Sequence, residues 1–307
     1  MRIVFVATGD IALPTWDWLL RQGHQPVALI TQPDKPVGRH QILIPPEVKV
    51  RAEAAGVLVM QPASLRKKNA IDAIAVLQPD LVVVMAYGQI LNERFLAIPR
   101  LACINIHASL LPRYRGASCV QAAIDSGDEE SGVSIMHMVR ELDAGDVILQ
   151  KKIILSVLET GGSLHDKLAE LAPDALDEAI RLLQQGTASR MPQAPALVSH
   201  VGKLAREHGR IDWHQEAAAI ERRVRAYEPW PGTFTHIGNG KRLKIFPFLQ
   251  VVSTAELFPG QTQLSSDGLL VGCGKNALLL GDVQAEGGRR IAAIDYARGQ
   301  RDMLVLK

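Results

Sequence analysis

Apolar positions in the first half of the chain fall into short continuous runs at 2–6, 26–31, 57–60, 80–86, 103–107 and 133–138. Runs this brief, without polar alternation, suit strands of a parallel sheet covered on both faces. Between them the spacing becomes helical. The stretch 14–22 carries Trp18 and Leu19 and stops at Gly23, 46–55 stops at Gly56, and 70–77 lies before Pro79. The alternation predicts a doubly wound α/β domain with a mostly parallel sheet, whose site lies beyond the C-terminal ends of the strands. A longer helical stripe runs through Leu164, Leu168, Leu171, Ala175, Ala179 and Leu182 and closes at Gly186. Its expected N-cap is Ser163, with Asp166 at the capping-box offset and Pro173 as an expected kink.

Periodicity ceases at 187–201, where Pro192 and Pro195 indicate an extended linker. Beyond it, 217–227 reads as one short basic helix. The runs 241–252, 268–273 and 277–283, separated by Gly, Asn and Asp turns, suit a small antiparallel β-barrel. The expected organisation is therefore an α/β domain over 1–188, a linker over 189–204 and a barrel domain over 205–307. One stretch interrupts the first domain. The proline-rich segment 33–48 lacks periodicity, and with its flank it carries Lys35, Arg39 and Lys49. An unstructured loop of that length inside a domain is usually functional.

At 307 residues the chain is comfortable for two domains, and 47% hydrophobic with 21% charged residues is an ordinary soluble balance. No apolar run approaches the roughly 20 residues of a membrane span. The N-terminus reads as a strand rather than a secretory leader, so a cytoplasmic monomer is expected. Three scattered cysteines, Cys103, Cys119 and Cys273, lack metal spacing, so no metal is expected. The net charge of +2 is unevenly spread: residues 1–188 carry 18 Lys and Arg against 21 Asp and Glu, leaving 16 against 11 for 189–307. A basic C-terminal part fits a polyanionic partner, although a surplus of that size also lies within ordinary scatter. Thr8-Gly9-Asp10 after the first strand is not a G-x-G-x-x-G loop, which argues against a dinucleotide cofactor.

Two segments concentrate chemistry. In Asn105-Ile106-His107-Ala108-Ser109-Leu110-Leu111-Pro112, Asn105 and His107 lie two apart on one face of a buried-type strand. In Leu142-Asp143-Ala144-Gly145-Asp146, carboxylates enter a glycine turn. An amide, an imidazole and a carboxylate can add a nucleophile to a carbonyl and stabilise the resulting oxyanion. Taken singly, the histidine could be a satisfied polar group and the aspartates turn residues. A third cluster, Arg222, Arg223 and Arg225 with Trp230 and Phe234, suits phosphate or base contact, with Trp230 itself expected to be packed.

Asn105-Ile106-His107-x-Ser109-Leu110-Leu111-Pro112-Arg113-x-Arg115-Gly116-Ala117, followed by Leu142-Asp143-x-Gly145-Asp146, resembles the paired signature of the folate-dependent formyltransferases. Gln32-Pro33-Asp34-Lys35-Pro36-x-Gly38-Arg39, Val83-Val84-x-Ala86-Tyr87-Gly88-x-Ile90-Leu91, Gly209-Arg210-Ile211-Asp212-Trp213 and Pro229-Trp230-Pro231-Gly232 are similar to members that act on an aminoacylated tRNA. The resemblance covers essentially the whole chain. It implies a Rossmann-like catalytic domain with an OB-like C-terminal barrel, and catalysis by Asn105, His107 and Asp143. It further implies transfer from 10-formyltetrahydrofolate, held by Ser109, Leu110, Leu111, Pro112, Tyr87, Gly88, Ile90 and Leu91. The implied acceptor is the α-amino group of initiator methionyl-tRNA, held by Arg39, Lys35, Lys49, Arg222 and Arg225. A sugar nucleotide or another small amine is the alternative acceptor. The chain departs from the family at Ala108, usually Gly, at Gly9, usually Pro, and at His40-Gln41, which replace part of a lysine pair.

Overall fold

In the computed structural model the chain forms two units, and residues 1–24, 26–38, 41–238, 240–253, 256–300 and 305–307 are described, Val37 by its backbone alone. Unit 1 comprises Met1–Cys119, Ser131–Ile153 and His165–Val201, and unit 2 comprises Val120–Glu130, Ile154–Leu164 and Gly202–Lys307.

Unit 1 is built on a seven-stranded sheet. Its strands are β1 (Ile3–Ala7), β2 (Ala28–Ile30), β3 (Val59–Met60), β4 (Leu81–Met85), β5 (Ala102–His107), β6 (Glu130–His137) and β7 (Val147–Ile154), in the order β7-β6-β5-β4-β1-β2-β3. The pairings among β1 to β5 are parallel, as the continuous apolar runs predict. β6 then lies antiparallel to β5, with His107 opposite Ser134 and Asn105 opposite Met136. β7 is a strand that the sequence pattern does not indicate, because its outer half Gln150-Lys151-Lys152 is polar and partly exposed.

Helices cover both faces of the parallel part. α1 (Leu13–Arg21) buries Trp16 against Phe5 on one face, with ring centroids 5.9 Å apart. α2 (Glu47–Ala54) also falls where the sequence places it, burying Val48 and Ala52. On the other face Val4, Val6, Val82 and Val84 share a core with Ile71 and Ile74 of α3 (Lys68–Ala75). The segment 33–48 is more ordered than expected: Lys35–Val37 and Ile42–Ile44 pair as a short antiparallel hairpin with Ile42, Leu43 and Ile44 exposed. Arg39, expected to contact tRNA, lies outside the described residues, as does His40.

After α4 (Glu93–Leu96) and α5 (Cys119–Asp125), α6 (Gly161–Gln185) runs unbroken through Pro173. Its start differs from expectation. Thr160 and Ser163 exchange caps, the Ser163 N–H donating to Thr160 Oγ1 at 3.1 Å and the Thr160 N–H to Ser163 Oγ at 2.9 Å. Serine thus takes the N3 role that glutamate usually has, which leaves Asp166 to accept from His165 Nδ1 at 3.0 Å. The stretch 187–201 belongs to unit 1 and is extended apart from a 3-10 turn at Pro195–Leu197: Met191 bridges Val147, and His200–Val201 pairs with Arg115–Gly116.

Unit 2 contains α7 (Ala217–Ala226) and eight strands: β8 (Thr233–His236), β9 (Arg242–Ile245), β10 (Gln250–Val252), β11 (Thr262–Leu264), β12 (Leu269–Gly272), β13 (Ala277–Leu280), β14 (Asp282–Ala285) and β15 (Arg290–Ala292), followed by α8 (Ala293–Arg298). They form two four-stranded antiparallel sheets, β8-β9-β14-β15 and β10-β13-β12-β11. Leu243, Ile245, Leu269, Val271, Leu278, Leu280 and Val283 from both sheets share one core with Ile220 and Val224 of α7. The run 241–252 is two strands rather than one, broken where Phe248 takes a φ of +73°. Among the described residues no helix is long and apolar enough to cross a membrane.

The turn after β1 is tied to α6 by His165 Nε2 and Asp10 Oδ1, 3.2 Å apart. The hydrogen bond to Asp10 pushes His165 up to about 9, and the same bond holds the Asp10 carboxyl below its ordinary value. A raised imidazole stabilises the fold fully below its unfolded value of 6.5, and that contribution fades as pH rises towards 9. The depressed carboxyl loses its contribution as pH falls through 3.8 and below. His165→Gln is therefore expected to lower the melting temperature near about pH 6 and to match the parent above about pH 9. A gap that does not change with pH would contradict the pairing.

Candidate active site

β5 delivers Asn105 and His107 to one face two residues apart, and only 8% and 6% of their surfaces remain exposed. His107 Nε2 lies 3.0 Å from the Tyr114 carbonyl oxygen. A carbonyl only accepts, so the ring carries its proton on Nε2 and donates it there. Nδ1 then faces Asp143 Oδ2 at 3.7 Å, close enough for electrostatic coupling but too far for a hydrogen bond. No hydrogen bond among the described residues engages the side-chain amide of Asn105. Part of Asn105 remains exposed and its amide atoms are not wholly buried, so the amide stays open to a ligand.

Asp143 occupies the turn between β6 and β7 with φ +51°, a left-handed conformation rare for a residue with a Cβ. Three contacts hold it there. The Gly116 N–H donates to Asp143 Oδ2 at 2.8 Å, and Gln193 Nε2 donates to the carbonyls of Asp143 and Gly145, each at 2.8 Å. The glycines permit the approach. A Cβ on Gly145 would sit 1.7 Å from the His137 carbonyl oxygen, and one on Gly116, where φ is +115°, would sit 2.1 Å from that of Val201.

The segment 109–113 folds around a hydroxyl that sequence reasoning missed. Ser134 Oγ donates to the Ser109 carbonyl at 2.6 Å and accepts from the Leu111 N–H at 3.0 Å. Gln150 Nε2 donates to Ser134 Oγ and to the Leu111 carbonyl. Ser109 Oγ closes the turn on the Arg113 carbonyl at 2.8 Å. The available signal was a lone serine inside the apolar run 133–138, directly opposite His107. Ser109, Leu110, Leu111 and Pro112 therefore belong to a preformed loop beside the imidazole.

The second expected cofactor segment divides. Tyr87 and Leu91 pack in the core with Phe95, Val84 and Ile74, whereas Ile90 is exposed and Gly88 adopts φ +78°. Burial pushes the Tyr87 phenol up to about 12, and its hydroxyl has no hydrogen-bond partner among the described residues. His137, on the face of the sheet opposite His107, is held below its ordinary value by burial.

The expected tRNA contacts are mostly engaged within the chain. Lys35 Nζ donates to Gln32 Oε1 at 2.6 Å, and Lys49 Nζ pairs with Asp34 at 2.9 Å. A hydrogen bond from Gln61, with that of Lys49, holds the Asp34 carboxyl below its ordinary value. Within unit 2, Arg222 Nε donates to the Asp125 carbonyl at 3.3 Å. Arg225, 9% exposed, forks onto both Glu221 oxygens and donates Nη1 to the Glu159 carbonyl at 2.8 Å. Trp230, expected to be packed, is 51% exposed at the tip of a turn closed by the Gly232 N–H on the Tyr227 carbonyl. The exposed cations of unit 2 with no ion pair among the described residues are Lys203, Arg206, Arg210, Lys244, Arg289 and Lys307. Nothing in their spacing sets them apart in the sequence.

Comparison with known proteins joins this geometry to a family. Residues 1–180 match the formyl transferase family model, and residues 203–301 match the model of the formyl transferase C-terminal domain. A methionyl-tRNA formyltransferase of Akkermansia muciniphila is 51% identical over 297 residues, covering 95% of this chain and 94% of that protein. The methionyl-tRNA formyltransferase of Pseudomonas fluorescens is 43% identical, covering 100% and 96%. Among solved structures, an N-formyltransferase from Helicobacter canadensis, in complex with folinic acid and dTDP-3-aminofucose, is similar with a TM-score of 0.63 at 16% identity, covering 91% of this chain and 99% of that one. HypX from Aquifex aeolicus in complex with tetrahydrofolic acid is similar with a TM-score of 0.63 at 17% identity over 97% of this chain, which spans 47% of HypX. At these identities the structures share the fold.

The close backbone contact at Gly145 gives a direct test. Gly145→Ala must move the Asp143 turn away from β6, so it is expected to lower stability in urea by about 1–3 kcal/mol. Gly202→Ala, where a Cβ meets nothing within 4 Å, is expected to be neutral. Equal midpoints for the two variants would contradict the packing of the turn.

Proposed function

The chain belongs to the methionyl-tRNA formyltransferase family, and on that premise we propose how its residues perform the transfer. It formylates the amino group of methionine on initiator tRNA. The formyl donor is a folate derivative, and 10-formyltetrahydrofolate is the donor assigned here.

The amine nitrogen attacks the formyl carbon. The new C–N bond forms as the bond from that carbon to the folate nitrogen breaks, and the proton lost by the amine ends on that nitrogen. Charge develops on the formyl oxygen in between. The Asn105 amide, which has no hydrogen-bond partner among the described residues, and the His107 Nε2–H, shared with the Tyr114 carbonyl, are the donors for that oxygen. Asp143, beside Nδ1, orients the imidazole and takes the amine proton on its way to the leaving nitrogen. The observation that carries this reading is one buried niche holding an unpaired amide, an imidazole with a fixed donor and a carboxylate locked in a left-handed turn. The folate fits the preformed 109–112 loop together with Gly88 and Ile90.

We assign residues 1–188 to catalysis, 189–204 to the connection and 205–307 to tRNA. Cations of this region without an ion pair among the described residues, such as Arg206, Arg210, Lys244 and Arg289 with Lys203 at its edge, suit phosphates better than Arg222 and Arg225, which are committed to Asp125, Glu221 and Glu159. Arg39 remains the assigned acceptor-end contact in the 33–48 segment, with Lys35 and Lys49 shaping its base through Gln32 and Asp34.

His107→Ala and Asp143→Asn are each expected to slow single-turnover formylation of initiator methionyl-tRNA by on the order of 100-fold or more, with far-ultraviolet circular dichroism unchanged. Near-parental turnover in either would refute the role assigned to that residue. The tRNA reading makes a separate prediction. Affinity falls with salt, and Lys244→Ala or Arg289→Ala each lower the slope of log affinity against log salt by about 1. Arg225→Ala instead destabilises the fold by about 3–5 kcal/mol, because Glu221 loses its partner. A salt-independent affinity would overturn the electrostatic role of this region.

A further inference from the structure

The segment 189–201 has the sequence of a linker and the contacts of a clamp. Gln193 is its centre. Gln193 Oε1 accepts from Arg115 Nε at 2.9 Å and Nη2 at 2.8 Å. That assignment turns Nε2 towards the carbonyls of Asp143 and Gly145, both at 2.8 Å. The amide is then fully used, with two hydrogens on two carbonyls and two lone pairs on one guanidinium. Its orientation is fixed, because a flipped amide would set its oxygen against two carbonyls and its hydrogens against a cation.

The same segment holds the residues that face Asp143 from the other side. Ser199 Oγ accepts from the Tyr114 N–H at 2.8 Å, and its carbonyl accepts from the Arg115 N–H at 2.9 Å. The Val201 carbonyl accepts from the Ala117 N–H at 3.2 Å. Tyr114 supplies the carbonyl that receives the His107 proton, and Gly116 supplies the N–H that binds the Asp143 carboxylate. One extended strap thus ties together the two backbone groups that orient the imidazole and the carboxylate. Asp143 itself gains from the tie. Its left-handed φ of +51° is unfavourable alone, and the Gln193 bonds fall on the two carbonyls that flank its turn.

We propose that Gln193 is a positioning residue for formyl transfer: its side-chain amide, pre-oriented by Arg115, sets the backbone of the 143–145 turn so that the Asp143 carboxylate stays against His107. This rests on the catalytic role assigned to Asp143. All the hydrogen-bonding capacity of the Gln193 amide is spent on Arg115, Asp143 and Gly145, so its loss is expected to act on rate rather than on binding. Displacement of a reacting group by about 1 Å can cost up to about 100-fold.

The test is single-turnover and steady-state formylation of initiator methionyl-tRNA by Gln193→Ala, Gln193→Glu, Asp143→Asn and the Asp143→Asn/Gln193→Ala double variant, each checked for folding by circular dichroism. Gln193→Glu keeps the length of the side chain and the pairing with Arg115, and it replaces the two donors by a carboxylate oxygen facing the Asp143 and Gly145 carbonyls. Both Gln193 variants are expected to lose about 10- to 100-fold in kcat, with KM for tRNA and for the formyl donor within about twofold of the parent. The double variant is expected to be no slower than Asp143→Asn alone, because the two residues act as one unit. Four results would overturn the proposal: parental kcat in Gln193→Ala, a loss seen in KM alone, losses that multiply in the double variant, or failure of both Gln193 variants to fold. If Asp143→Asn keeps the parental rate, the assignment of Asp143 fails and the positioning role fails with it. If Asp143→Asn is slow and Gln193→Ala is not, only the present inference falls.

Discussion

Everything at the site follows from keeping an aspartate carboxylate beside an imidazole where water is largely excluded. His107 Nδ1 and Asp143 Oδ2 stand 3.7 Å apart, and both side chains are almost wholly covered. A carboxylate removed from water needs donors, and here it receives the Gly116 N–H, while His107 Nδ1 stands beside it without a hydrogen bond. The chain must therefore bring β5, the 112–117 loop and the 143–145 turn within a few ångströms of one another. Gly116 and Gly145 are required for that approach, since a Cβ at either would collide with backbone oxygen. The reversal of direction between β5 and β6 serves the same end. It places Ser134 opposite His107, and because β6 ends beside Cys103 at the start of β5, the β6–β7 turn must reach back along the sheet to carry Asp143 to the imidazole.

The second unit obeys a different constraint. Most of its arginines near α7 are spent on the protein itself: Arg223 pairs with Asp125 at 3.2 Å, and Arg225 with Glu221. On the β-strands Arg242 stacks 4.4 Å from the centroid of Phe234, and Arg290 lies 4.2 Å from that of Phe246. Basic surplus and available positive surface are thus separate quantities. The exposed cations without an ion pair among the described residues lie singly in loops and, for Lys244, on the inner strand β9, which suits backbone contact spread over a broad surface rather than one dense patch.

How far the sequence revealed all this varies with the physics behind each element. The parallel strands were legible because burial on both faces leaves unbroken apolar runs, and α1 and α3 because one buried stripe leaves a helical period, whereas α2 was marked chiefly by Pro46 and Gly56 at its ends. Asn105, His107 and Asp143 stood out as polar groups where packing alone would place apolar ones, and the family signature gave them roles. β7 was hidden, because a half-exposed strand at the sheet edge carries Gln150, Lys151 and Lys152. β8 was hidden too: Thr233 and Thr235 are buried there only because Ile245 and Lys307 carbonyls accept their hydroxyl protons. Gln193 and Ser199 left no trace, since a strap held by individual side-chain bonds has no period. Trp230 was misread because a turn tip exposes whatever it carries, aromatic or not.

The most direct measurement is a crystal structure with a folate that carries a non-transferable formyl group. The account predicts the formyl oxygen at about 3 Å from the Asn105 amide nitrogen and from His107 Nε2, with Asp143 unmoved in its left-handed turn. A formyl oxygen bound beyond about 5 Å from both donors would contradict it.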